Sequence, residues 1–181
     1  MVCATGGGKI MKVIESTDDV ANEDLGRFYA RWKNLSRQGR ALPHPEQVTG
    51  AFLGDICGYC KVSKPLSDPF DVEYLYLGPA VKKLYSNPIE NVRLSAIFDP
   101  WIRKIVTQTY QLSIDEKAAV YDKKGISTII GSIGYEYLIL PFSNAGDGVD
   151  LFVTCVFPLG EKIETSAAWE EAVANTPWLN A

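Results

Sequence analysis

Residues 135–159 read YEYLILPFSNAGDGVDLFVTCVFPL. Two apolar runs flank SNAGDG, and a break rich in Gly, Asn and Asp between runs of Tyr, Ile, Leu, Phe and Val predicts a β-hairpin with a longer loop. Side chains alternate along a strand. Tyr135, Tyr137 and Ile139 therefore share one face of the first arm, and Leu138, Leu140 and Phe142 share the other. On the second arm Leu151, Val153, Cys155 and Phe157 oppose Phe152 and Val156. A sheet with one wet face alternates apolar and polar residues. This hairpin is apolar on both faces, so the chain must supply two covers.

One cover is legible upstream. Leu25, Phe28, Tyr29, Trp32 and Leu35 recur at i, i+3, i+4, i+7 and i+10, which makes one apolar stripe on a helix within residues 19–37. Asp19 or Asn22 can cap its start, and Glu23 and Asp24 suit the positive end of the helix dipole. The opposite face carries Arg27, Arg31, Lys33 and Arg37. It reads as a solvated face behind a core stripe, or alternatively as an adaptor surface for nucleic acid or membrane.

The other cover lies in the middle of the chain. Residues 46–53 read as a short helix, and residues 56–63 and 70–77 as two strands joined by KPLSDP. Gly78-Pro79 opens a short helix that Asn87-Pro88 closes. Asp99-Pro100 starts a further helix to about residue 112, with Trp101, Ile102, Ile105, Val106 and Thr109 inward. Residues 117–122 read as a strand turned by KKG at 123–125, and the strand that enters the hairpin starts near residue 128. Two strands, a helical middle and three strands make an α+β domain with a five-stranded antiparallel sheet. The division expected is a flexible lead-in at 1–18, a domain at 19–160, and a tail at 161–181 with a short helix at 167–174.

The totals suit one ordinary globular domain: 181 residues, 46% apolar, 22% charged, net charge −4. The acidic balance argues against a dedicated nucleic-acid binder. No run reaches the ~20 apolar residues of a membrane-spanning helix, and the N-terminus has no signal-peptide core. A cytoplasmic location and reduced thiols follow as expectations.

Reaction chemistry is sparse. GGGK at 6–9 lacks the first Gly, the Ser or Thr, and the strand of a phosphate loop. Cys57-Gly58-Tyr59-Cys60 looks like a redox dithiol, but that motif needs a following helix, and KVSKPLSDP supplies none. On a strand the two thiols would point to opposite faces. The expectation is a pair of packed thiols, with a thiol-disulfide oxidoreductase using Cys57 and Cys60 as the alternative. Zinc on Cys57, Cys60, Cys155 and His44 would require a knuckle in place of the strand. His44 is the single histidine and sits between prolines, so no Ser–His–acid or Cys–His arrangement forms around it. No catalytic residue is assigned.

Three stretches carry a resemblance to a known family: LGRFYARWKNLSRQGRALP, FDVEYLYLGPAVKKLYSNPIENVRL, and the hairpin itself. Over residues 25–159 the chain resembles stand-alone bacterial PAS-like domains of the alphaproteobacterial type. The resemblance implies a PAS-like sheet with a helical segment on one face and the N-terminal amphipathic helix on the other. It also implies a non-enzymatic sensory module in signal transduction, binding a small molecule or a partner protein. The sheet apolar on both faces, with its aromatic stripe, adds the expectation of a homodimer through the N-terminal helix and the outer sheet face. Pro79 departs from the small polar residue expected after the glycine that ends the second strand. The cofactor stays unknown: the chain has neither the cysteine motif of flavin photosensors nor a histidine in the helical segment to ligate haem, which speaks against both groups. Under the sheet, Tyr76, Trp101, Tyr121, Tyr135 and Tyr137 are the candidate pocket residues. Leu25, Phe28, Tyr29 and Trp32 form the candidate dimer or partner helix.

Overall fold

The computed structural model describes residues 10–83, 91–97, 100–128, 131–146 and 148–158. Residues 1–9 of the lead-in expected at 1–18, the Asn87-Pro88 break, the Asp99 cap and the helix at 167–174 lie outside the described residues. The described part is α+β. Six strands form one antiparallel sheet: β1 (Ile10–Val13), β2 (Cys60–Leu66), β3 (Asp71–Leu77), β4 (Val120–Thr128), β5 (Gly131–Phe142) and β6 (Leu151–Pro158). Their order across the sheet is β1-β4-β5-β6-β2-β3. The helices are α1 (Glu23–Lys33), α2 (Gly50–Leu53), α3 (Pro79–Lys82), α4 (Leu94–Ile97) and α5 (Pro100–Glu116).

The hairpin forms as read. β5 and β6 pair from Tyr135↔Pro158 to Phe142↔Leu151. Leu138, Leu140 and Phe142 join Val153, Cys155 and Phe157 in one buried cluster, while Ile139, Phe152 and Val156 belong to another on the opposite face. In the intervening loop Asp150 accepts from Asn144 N at 2.7 Å and donates its own N–H to Phe142 O at 2.9 Å.

Both covers are in place. Asn22 caps α1 by accepting from Asp24 N and Leu25 N. The helix lays Leu25, Phe28, Tyr29 and Trp32, all buried, over one face. Trp32 Nε1 donates to Pro141 O at 3.1 Å, which ties α1 to β5. On the opposite face α5 brings Tyr110, α4 Leu94 and α3 Val81 to the second cluster.

Several local expectations are corrected. The sheet has six strands where five were expected, because Ile10–Val13 pair with β4 in what the sequence presents as a lead-in. The strand expected at 56–63 is instead a 3-10 turn over Gly54–Tyr59, and β2 starts at Cys60. Gly54, at φ +55°, turns the chain there. β2 then runs through Pro65, where a turn was expected. Pairing with β6 stops at Ser63, so the missing N–H of Pro65 costs no ladder bond on that side. KKG does not turn the chain either. β4 continues through it to Thr128, with Gly125 opposite Gly134. The helix expected at 46–53 is broken into a 3-10 turn at Pro45–Gln47 and the short α2.

The added strand is pinned by Lys12, whose Nζ lies 2.7 Å from Asp19 Oδ1, while Asp19 Oδ2 accepts from Glu15 N and Ser16 N. The hydrogen bond from Lys12, then those from the two backbone N–H groups, lower the Asp19 carboxyl from 3.8 to about 2. A depressed carboxyl contributes stability that is complete above its unfolded value and is lost as pH falls through the folded one. Hydrogen-exchange protection of the β1 amides is therefore expected to decline between about pH 4 and pH 2. Asp19→Asn should remove that pH dependence, and an unchanged profile in the variant would show that β1 is held by its pairing with β4 alone.

Candidate functional site

The two faces of the sheet differ in chemistry. Under α1 the cluster is mostly apolar and aromatic, with Phe28 against Phe52 and Tyr59 stacked on Phe157 at 4.5 Å between ring centres, and the same face buries Glu136, 2.7 Å from Lys123 Nζ. The face under α5 buries polar and charged groups among its apolar ones. Lys61 is 2% exposed and Asp122 0%, with Ser63, Thr109 and Thr154 also buried.

Local pairing explains how they meet. A bulge in the β2–β3 register after Val62 sets Ser63 opposite Tyr74, while Lys61 stands opposite Leu77 and, across β6, opposite Thr154. The Lys61 ammonium then lies 4.8 Å from the Tyr74 ring centre, 5.8 Å from that of Tyr110 and 6.0 Å from that of Tyr137. A cation above aromatic faces is attracted by their quadrupoles, more strongly when desolvated. Tyr110 descends from α5, packs edge-on to Phe152, and sets its hydroxyl 3.3 Å from Thr154 Oγ1. One residue earlier, Thr109 Oγ1 lies 3.4 Å from Asp122 Oδ2 and 3.2 Å from Ile105 O, and its single proton can go to either acceptor. Asp122 stands opposite Tyr137 in the β4–β5 pair. Ser63 Oγ is buried and has no hydrogen-bond partner among the described residues.

The pocket residues expected from sequence divide between the faces. Tyr135 and Tyr137 lie half-buried on the α5 side, their ring centres 6.0 Å apart. Tyr76 and Tyr121 are buried in the α1 cluster on the opposite face. Tyr76 sets its hydroxyl 3.2 Å from Cys57 Sγ. Burial, and after it the charge of Glu136, push the Tyr121 phenol up to about 12. Trp101 falls in the opening turn of α5, and its side chain lies outside the described residues. Sequence reasoning missed Lys61, Ser63, Tyr74, Tyr110 and Asp122. Their signal was a lysine and a serine alternating with apolar residues in CKVS, and an acid inside KAAVYD.

The candidate dimer helix is already occupied. Leu25, Phe28, Tyr29 and Trp32 are buried against their own sheet, so a second copy would meet the outer face of α1 instead. On that face Arg27 pairs with Asp24 and Arg31 with Asp55, Lys33 sits over the Tyr29 ring, and Arg37 sits over that of Trp32.

The CGYC segment does not build the activated dithiol of a thiol-disulfide oxidoreductase. Cys57 is in the 3-10 turn and Cys60 opens β2, so the two do not share a strand as expected. Burial pushes the Cys57 thiol up to about 12 against a smaller lowering by the Tyr76 hydroxyl, the reverse of an activated nucleophile. Among the described residues no three His, Cys, Asp or Glu side chains converge as metal ligands. His44 accepts from Glu46 N at the 3-10 turn it caps. Nor, among those residues, is any helix long and apolar enough to cross a membrane. Surface grooves lined by described residues include one of about 390 Å³ at the β2–β3 hairpin beside Asp71 and Arg93, and one of about 310 Å³ that follows α1, beside Arg37, Arg40 and His44. Neither lies between α5 and the sheet.

No family model matches the chain, and no curated protein matches it. Solved structures similar to it include a chain described as an RNA-binding light-oxygen-voltage receptor, at 18% identity and a TM-score of 0.39, over 64% of this chain and 33% of that one. Another is a single-substitution variant of the light-oxygen-voltage protein RsLOV, at 11% identity and a TM-score of 0.45, over 71% of this chain and 75% of that one. The chain thus spans about a third of the first of these proteins.

Proposed function

We propose that this chain is a non-enzymatic PAS-like sensory or regulatory module of the stand-alone bacterial type, and that it reads its signal at the polar cluster beneath α5. The observation that carries this reading is the contrast between the two faces of the sheet. The α1 side is served mainly by apolar side chains, and its buried acid Glu136 has the Lys123 ammonium 2.7 Å away, whereas the α5 side gathers a buried lysine, an acid and several hydroxyls. Burying a lysine and an aspartate costs several kcal/mol per ion unless close partners compensate. The tyrosines around Lys61 combine apolar ring area with hydroxyls, the mixture that fixes a small polar molecule in orientation. Output is by association, with a second copy or with a partner protein.

The test is native mass spectrometry together with an absorption spectrum of the freshly purified chain and of Lys61→Met. A bound small molecule in the wild type that is lost from a folded Lys61→Met chain is the expected result. If the wild type carries nothing, and Lys61→Met is more stable with unchanged association, the cluster is structural and the reading fails.

A further inference from the structure

The apolar face holds one feature that the polar cluster does not use. Cys60, at the start of β2, lies directly opposite Cys155 of β6, 95 positions later in the chain. Both side chains are buried, and their Sγ atoms are 2.9 Å apart. Opposing residues of an antiparallel pair have Cα atoms about 4.5–5.5 Å apart, inside the range of roughly 4.4–6.8 Å that a disulfide spans. Only a small approach of the two sulfurs separates this contact from a bond of about 2 Å. The third described thiol is held apart from them, since Cys57 Sγ lies against the Tyr76 hydroxyl. The pair also links two parts of the domain, because β2 is the strand that joins β2–β3 to the β4–β5–β6 meander.

We propose that Cys60 and Cys155 are a reversible redox modification site, closing to a cross-strand disulfide with a two-electron oxidant of the peroxide class. The Gly54–Tyr59 turn leads directly into Cys60, and Ile56 O of that turn accepts from Cys60 Sγ at 3.3 Å. When the turn lifts, the deprotonated Cys60 sulfur attacks one oxygen of hydrogen peroxide. The O–O bond breaks, the departing hydroxide takes up a proton to leave as water, and Cys60 becomes a sulfenic acid. Cys155 Sγ then attacks the Cys60 sulfur and the S–O bond breaks. The leaving oxygen takes up the Cys155 proton to form a second water. In sum two thiols and one peroxide give one disulfide and two waters, the sulfurs losing two electrons and the peroxide gaining them. Burial disfavours the thiolate at Cys60, so the reaction follows opening of the turn and is slow in the closed form.

The test treats the reduced full chain with hydrogen peroxide, in native buffer and just below the urea concentration at which it unfolds. Remaining thiols are blocked with N-ethylmaleimide, and the unreduced digest is mapped by mass spectrometry. The expected product links the Cys60 and Cys155 peptides, is undone by dithiothreitol, and leaves Cys57 blocked. The oxidised chain should also melt about 5–10 °C higher, since the bond closes a long loop. Cys155→Ala should lose both the link and the rise. No such link in either arm, or a dominant link from Cys57 to Cys60 or to Cys3, overturns the proposal.

Discussion

Gly78→Ala is expected to destabilise the fold by about 3 kcal/mol and to lower the melting temperature by about 6–12 °C. The cause is contact and not backbone conformation. Gly78 has φ −64° and ψ 154°, values open to any residue, and it caps the start of α3. A methyl group there would run into Gly58 O, Cys57 O and the Gly58 carbonyl carbon, all well inside van der Waals contact. All three are backbone atoms, so no side chain can swing aside. The 3-10 turn would have to move bodily, and it is held to the same place by the bond from Gly78 N to Cys60 O at 2.7 Å. Displacing that turn also disturbs Cys57 and Tyr59, which are buried in the core beneath α1. Gly148→Ala is the control, because nothing lies within 4 Å of a methyl group at that position. Urea unfolding of both variants decides the matter. Equal stability would show that the Cys57–Gly58 backbone is not pressed against Gly78.

That glycine illustrates what could be read from the sequence and what could not. The step from strand to Gly-Pro to short helix stood out as a pattern, and α3 does begin at Pro79. The reason for the glycine is a backbone crossing between segments about twenty residues apart, which no local periodicity encodes. The hairpin was legible because its signal is local: two alternating runs and a Gly-rich loop state both the pairing and the faces. The α1 stripe was legible for the same reason. β1 was not, because four residues at the edge of a sheet depend on a partner more than a hundred positions away. The Gly54–Tyr59 turn was misread because Ile56 and Tyr59 suit strand and 3-10 turn alike, and Gly54 alone marks the difference. The candidate site was the least legible part. Lys61, Tyr74, Tyr110 and Asp122 come from four separate elements, and each looks like an ordinary residue until the bulge in the β2–β3 pairing brings Lys61 and Tyr74 onto one face.

Trp32→Ala is expected to have the largest effect of any single truncation in α1, a loss of about 3–5 kcal/mol. The indole is 4% exposed, stacks on Tyr29 at 5.9 Å between ring centres, and carries the Arg37 guanidinium 4.9 Å above it. Its Nε1 donates to Pro141 O, so truncation removes packing and a hydrogen bond together. Trp32→Phe separates the two contributions. It keeps most of the ring but leaves Pro141 O without that donor, at a cost of about 1–3 kcal/mol. The expected order in urea unfolding is therefore wild type, then Phe, then Ala. The alanine variant carries a further consequence. α1 is the cover for Leu140, Phe142 and Val153, and with its hold on Pro141 gone, that face is exposed whenever the helix lifts. Trp32→Ala should accordingly bind a hydrophobic dye and self-associate at concentrations where Trp32→Phe does neither, as read by fluorescence and sedimentation velocity. An alanine variant within about 1 kcal/mol of wild type, with no gain in dye binding, would mean that α1 is held mainly by Leu25, Phe28 and Tyr29 and that Trp32 is not the residue that fixes it to the sheet.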